Sequence, residues 1–246
     1  MKQHTIYYAD ENQPLVGQLF FDETTVEKKP GIIVFPAFEG LSEFALDYAK
    51  NIAAQGYVAL AADIYGDGKT SETIDGCFSL ITPFLKDRAL VRRRAGLAFD
   101  LLTSQEIVDP EKIGAIGFCF GGMCALEVAR SGANIKAIVS AHGILTKSDI
   151  PNESINGSLL ILHGYQDPQV PPEALAPFAR EMSAENVADW RFLFFGQGKH
   201  SFTDPKTGTF DSEQEAEMGR EYNQIAANAT WRYAIDFFEE KLKTDA

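Results

Sequence analysis

At 246 residues and 45% hydrophobic content, the chain is long enough to bury one substantial core and needs no second domain, so residues 1–246 read as one unit. A formal net charge of −13 makes nucleic acid and anionic membrane surfaces poor partners, because repulsion opposes encounter. Three cysteines, Cys77, Cys119 and Cys124, are too few and too irregularly spaced for a disulfide framework or paired zinc ligands, and no compact ligand cluster supports metal chemistry. The first eight residues hold no apolar core of signal-peptide length, and no run approaches the roughly 18 to 20 apolar residues of a spanning helix. A soluble, cytoplasmic protein with reduced thiols is expected, as a monomer or small homo-oligomer.

In chain order, residues 3–21 read as a hairpin turning at Asn12-Gln13-Pro14, an antiparallel edge. Apolar, β-branched runs at 31–35, 57–62, 112–116, 136–140, 158–163 and 190–195 read as short strands. Helical patterns lie between them near 44–55, 80–104, 121–131 and 173–184, and a long closing helix is expected near 213–242. The alternation implies an α/β fold: a mostly parallel sheet covered on both faces. Glycine-rich residues 65–83 follow a strand at its carboxyl end and are expected to form a pocket rim.

In such sheets chemistry collects at the carboxyl ends of the strands. The strand at 112–116 runs into Gly117-Phe118-Cys119-Phe120-Gly121-Gly122, a G-x-C-x-G frame. A sharp turn from strand to helix strains its central residue, and close neighbours must lack side chains to let it form. The serine form of this elbow is G-x-S-x-G, so Cys119 is the candidate nucleophile in a thiol-using variant. The next strands deliver Asp167 and then His200, reproducing the nucleophile, acid, histidine order of α/β-hydrolases.

Each group has a definable task. A free thiol is only a few per cent thiolate at neutral pH, so Cys119 needs a base. His200 would take that proton and later return it to a leaving group, while Asp167 would fix the ring's tautomer. The Phe120 N–H, at the first turn of the following helix, points where an acyl oxyanion would form, and Phe38 N–H is the expected second donor. Taken alone, Cys119 could be a buried small hydrophobe, Asp167 a turn cap before Pro168, and His200 part of a polar loop. His163 reads as a packed residue, and Cys124 as core. His142 either lines the pocket or serves the fold.

The elbow, the segment His163-Gly164-Tyr165-Gln166-Asp167-Pro168, the ending Gly198-Lys199-His200-Ser201-Phe202, and the stretch Gln55 to Gly66 together resemble the dienelactone hydrolase family across nearly the whole chain. The resemblance implies an α/β-hydrolase fold and cofactor-free hydrolysis of a small-molecule ester or lactone through Cys119, His200 and Asp167. It also implies that Phe120 and Phe38 supply the oxyanion-hole amides.

Two departures qualify it. The family's founding lactonases carry a glutamate three residues before a glycine in the loop after the first parallel strand, where it engages the resting thiol. Here Ala37 stands in that place and Glu39 is displaced by two, as a possible thiol partner or a solvated loop charge. Those lactonases also grip a substrate carboxylate with arginines, one of them shortly after the histidine's Ser-Phe. Here Ser201-Phe202 continues into Thr203-Asp204-Pro205-Lys206, which argues against a dienelactone as substrate. Arg88 and Arg92 are candidate replacements, against the alternative that the cluster of arginines from 88 to 94 is a solvated face. Phe38, Phe44, Phe78, Phe118, Phe120 and Phe202 gather around the candidate segments and favour an apolar acyl group, although any one could fill core. A thioesterase or acyltransferase with the same three residues, and a ligand-binding protein on a hydrolase scaffold, remain alternatives.

Overall fold

In the computed structural model, which describes residues 1–23 and 27–243, the chain begins with the hairpin β1 (Lys2–Asp10) and β2 (Gln13–Phe21). It continues through β3 (Lys29–Phe35), α1 (Glu43–Ala54), β4 (Val58–Ala61), α2 (Ile74–Lys86) and α3 (Arg88–Thr103). The elements β5 (Val108–Phe118), α4 (Phe120–Arg130), β6 (Ala137–Ala141), β7 (Ser158–Gly164) and α5 (Pro172–Ala184) follow. The chain closes with β8 (Trp190–Phe195), α6 (Ser212–Glu217) and α7 (Gln224–Leu242). The strands form one eight-stranded sheet in the order β1-β2-β4-β3-β5-β6-β7-β8. From β4 to β8 every neighbour is parallel, and β1 and β2 form the antiparallel edge. This is an α/β-hydrolase fold.

The central strands explain themselves. Ile32 to Phe35, Ala115 to Phe118 and Leu159 to Leu162 are buried along nearly their whole lengths, as parallel strands covered on both faces must be. One face is covered by α1 and α7, which meet where Tyr48 and Trp231 stack edge to face at 5.1 Å. The other carries α3, α4 and α5. No helix among the described residues is long and apolar enough to cross a membrane.

Three boundaries differ from expectation, each for a local reason. The hairpin turns at Glu11-Asn12, with Glu11 at φ 54°, and Gln13 and Pro14 already lie in β2. The helix expected over 80–104 is two helices. Asp87 ends α2 and caps α3 by accepting from Leu90 N–H at 3.0 Å, and α2 reaches back to Ile74 behind its own cap, Thr73. The rim expected over 65–83 is therefore loop only as far as Thr73. The closing helix is also interrupted: Gly219, at φ 68°, ends α6, and Asn223 starts α7 by accepting from Ala226 N–H. The residues between return to the sheet, where Arg220 pairs with His200 in an isolated parallel bridge.

Buried charge ties the layers together. Asp63, after β4, accepts from the amides of Val16, Gly66 and Gly68 at 2.7–3.0 Å, holding the hairpin and the following loop in one geometry. Asp10 at the end of β1 accepts from Arg93 and Arg94 of α3. Glu127 of α4 has no exposed surface and binds three guanidinium groups, those of Arg88, Arg92 and Arg130, at 2.9–3.1 Å. Arg130 carries the network to Glu181 of α5 through two 2.8 Å bonds.

Removing one member of a buried ionic network leaves the others uncompensated in low dielectric, which costs more than the net worth of the pairs. Glu127→Ala is expected to lower stability by about 3–5 kcal/mol in urea unfolding, with the urea dependence unchanged.

Candidate active site

The link from β5 to α4 is a single residue, Cys119, at φ 52° and ψ −113°. Such a backbone is costly for a residue with a side chain, and its surroundings must over-determine it. They do. A Cβ on Gly117 would lie 1.9 Å from Gly121 O, and one on Gly121 would lie 2.1 Å from Phe35 O, so both positions exclude every side chain. The Cys119 N–H donates to Ala141 O on the neighbouring strand, and its carbonyl accepts from Gly122 and Ile144. Phe120 is the first residue of α4, where helix amides have no intrahelical partner.

Two strands along, the turn after β7 carries Asp167. One carboxylate oxygen accepts from the amides of Gln169 and Val170 at 2.8 and 3.2 Å. The other accepts from His200 Nδ1 at 2.8 Å, with both side chains inaccessible to water. Burial alone would push the Asp167 carboxyl up; the His200 hydrogen bond and charge and the two amides overcome it and hold it below the usual range. His200 itself is fully buried on the loop after β8, its N–H donating to Gly219 O. Burial disfavours its charged form, but the electrostatic influence of Cys119, the bond to Asp167 and the side-chain interaction with Cys119 push it up to about 10. His200 Nε2 is buried and has no hydrogen-bond partner among the described residues, and Cys119 is one of the groups that raise the pKa of this ring. Asp167 thus holds its turn and orients His200 at once.

The remaining histidines are in different positions. His163 donates from Nε2 to Val170 O at 3.0 Å and is a packed residue. His142 is buried with its ring 5.4 Å from that of His200, and a 2.7 Å hydrogen bond joins its Nε2 to Thr203 Oγ1. Burial, and then the His200 charge, hold its pKa well below the usual value, so it stands beside His200 as a neutral ring. Phe118 and Phe202 pack against it without exposed surface, as walls behind the site. Ser201 is buried, with φ 58°, and Phe78 is half exposed, edge-on to Phe38 at 5.9 Å.

Glu39 and the arginines are arranged differently from expectation. Glu39 is buried and gives its carboxylate to Arg220 at 2.6 Å; no hydrogen bond joins it to Cys119 among the described residues. Burial raises the Glu39 carboxyl, against the pull of Arg220. Arg88 and Arg92, candidates for the pocket, are instead taken up by Glu127, about 12 Å along α4 from Cys119 at helical rise, because a buried carboxylate there needs counter-charge. A cation that does stand by the site is Arg220, which sequence reasoning missed inside a supposed long helix. It lies 4.3 Å over the Phe38 ring and between Glu39 and Glu215. Gly219 was the available signal, since a glycine in a helical pattern can mark a break. Among the described residues no group of three or more His, Cys, Asp or Glu side chains could hold a metal ion.

Comparison with known proteins bears on this geometry. The family model described as "Dienelactone hydrolase family" matches residues 17–242. A crystal structure of a dienelactone hydrolase-like promiscuous phosphotriesterase from metagenomic libraries superposes with a TM-score of 0.91 at 36% identity, covering 98% of both chains. A probable 2-oxo-3-(5-oxofuran-2-ylidene)propanoate lactonase from Bradyrhizobium is 26% identical over 84% of this chain and 82% of its own. A putative carboxymethylenebutenolidase from Yersinia pestis is 24% identical over 86% of this chain and 78% of its own. With the match spanning β3 to α7, the elbow and the loops that carry Asp167 and His200, the chain belongs to the dienelactone hydrolase family.

Proposed function

We propose that the protein hydrolyses a small carboxylic ester or lactone through a Cys119-His200-Asp167 triad. The observation that carries this reading is the buried 2.8 Å bond from His200 Nδ1 to Asp167, with the opposite nitrogen left for a thiol on a strained elbow. Cys119 sulfur attacks the acyl carbon as a thiolate, its proton held on His200 Nε2. The carbonyl electron pair moves onto oxygen, which accepts hydrogen bonds from the Phe120 and Phe38 amides. Collapse expels the alkoxide, protonated by His200, and leaves an acyl thioester. His200 then takes a proton from water, whose oxygen attacks the thioester; the second collapse releases the acid and returns the thiolate and imidazolium. Every electron pair and proton is accounted for by these residues, the substrate and water, without a cofactor. The same elbow and histidine would serve a thioester substrate or an acyl acceptor other than water. The 36% identical relative, a dienelactone hydrolase-like promiscuous phosphotriesterase, favours adding a phosphotriester to any substrate panel.

Cys119→Ala and His200→Ala, each verified as folded, are expected to lose at least about 10³-fold in kcat/KM on p-nitrophenyl esters, with Asp167→Asn losing about 10²–10⁴-fold. Turnover retained in Cys119→Ala would sink the covalent path.

A second expectation concerns the histidine. His200 should stay protonated through neutral pH and lose its proton only as pH rises towards about 10. Two of the influences that raise it come from Cys119, so in Cys119→Ala, with only Asp167 left to oppose burial, its titration should move down. NMR titration of the ring resonances measures both; an unchanged midpoint in the variant would exclude a thiolate–imidazolium pair.

A further inference from the structure

We infer that the groove beside the triad selects esters carrying a positive charge over esters carrying a carboxylate, an inference that rests on the hydrolase reading above. The groove opens between the loop after β3, the start of α1, residues 70–72 and the loop after His200. Among the described residues its walls carry Glu39, Glu43, Glu72 and Asp204 against one cation, Lys206, and it continues past Asp47. That cation is already engaged, since Lys206 Nζ lies 2.6 Å from Glu43. Arg220, behind Glu39, is held between two carboxylates. Pairing thus sets Lys206 against Glu43 and Arg220 against Glu39, and Glu72, Asp204 and Asp47 are the excess of acid that faces whatever enters.

The walls of the groove are built from residues that neighbour the triad in chain or in packing. Glu39 follows Phe38, the proposed oxyanion donor, and its partner Arg220 is bridged to His200. The Phe44 ring lies 4.9 Å from Phe118, the residue before Cys119. Asp204 belongs to the His200 loop, its N–H donating to Ser201 O. The surface between the acids is apolar and aromatic: Leu41, Phe44 and Phe210 line one part, and Tyr48 lines the continuation with its hydroxyl buried and without a hydrogen-bond partner. Carboxylates beside aromatic rings are the chemistry that receives an ammonium group. A cleft lined by one sign of charge focuses its field on the entering ligand. Burial raises the Asp204 and Glu39 carboxyls, so the exposed Glu43, Asp47 and Glu72 are the charges to remove.

The test uses two readouts on the full chain. In the first, p-nitrophenyl esters of equal acyl length, ending in trimethylammonium, methyl or carboxylate, are compared at low salt. The expected order of kcat/KM is cation, neutral, anion, spanning at least ~10-fold. The spread should shrink near 1 M salt, where screening acts over about 3 Å, and in Glu43→Gln/Asp47→Asn/Glu72→Gln. The second readout needs no turnover: Cys119 is labelled with a cationic and an anionic methanethiosulfonate, each rate normalised to that of a small free thiol. Cys119→Ala corrects for Cys77 and Cys124. Faster cationic labelling that is lost in the triple variant supports the inference. Equal or faster anionic labelling overturns it even if esters are hydrolysed, as does an anionic or charge-blind ester preference. Labelling by neither reagent also overturns it, because the groove then does not lead to the thiol. Cationic labelling preference with no ester turned over would instead remove the hydrolase reading and leave the charge selectivity standing.

Discussion

The site depends on one backbone constraint, the left-handed conformation of Cys119 between β5 and α4. Without it the chain would continue from strand to helix through a wider loop, and the thiol would not be delivered singly at the carboxyl edge of the sheet. The constraint is met by absences: Gly117 and Gly121 approach other backbone atoms so closely that no side chain could be built on either. The strain at Cys119 is held by the Ala141, Gly122 and Ile144 hydrogen bonds and by the packed strands on both sides. A parallel sheet then does the rest, because Asp167 and His200 leave neighbouring strands at the same edge and need only short turns to meet.

Electrostatics divides the molecule into two kinds of buried charge. The Glu127 network joins α3, α4 and α5, where three guanidinium groups around one carboxylate satisfy each other and fasten helices. The Arg220 cluster lies beside the triad and has the opposite balance, one guanidinium between two carboxylates. Because Arg220 is bridged to His200 and stacked on Phe38, it couples the loop of the proposed base to the loop of the proposed oxyanion donor. The same arrangement leaves the guanidinium engaged on both sides by carboxylates.

Much of the site is legible in the residues because the relevant signals are local. The glycine frame around Cys119 encodes its turn within a few residues, and the strand-ending positions of Asp167 and His200 follow from hydrophobic runs of ordinary length. The helix boundaries were less legible. Asp87 and Gly219 both carry breaking signals, yet the apolar periodicity runs on through each, and periodicity over a long window outweighs a single polar or glycine residue. The cost of overlooking Gly219 was Arg220, whose role depends on the chain leaving helix for six residues to return to the sheet.

What the sequence by itself determined is the alternating α/β layout, the antiparallel amino-terminal edge, the glycine frame of the elbow and the chain order of Cys119, Asp167 and His200, since each is written in periodicity or in contiguous residue types. Only the tertiary structure decided which charges meet. Nothing in the spacing of Arg88 and Arg92 names their partner, and they go to Glu127 because α4 buries that carboxylate against α3. Glu39 and Arg220 lie at opposite ends of the chain and become a 2.6 Å pair only once the loop after β3 and the break before α7 close on the same strand edge. Ion pairing depends on distance in space and on dielectric, and neither is defined until the core has packed.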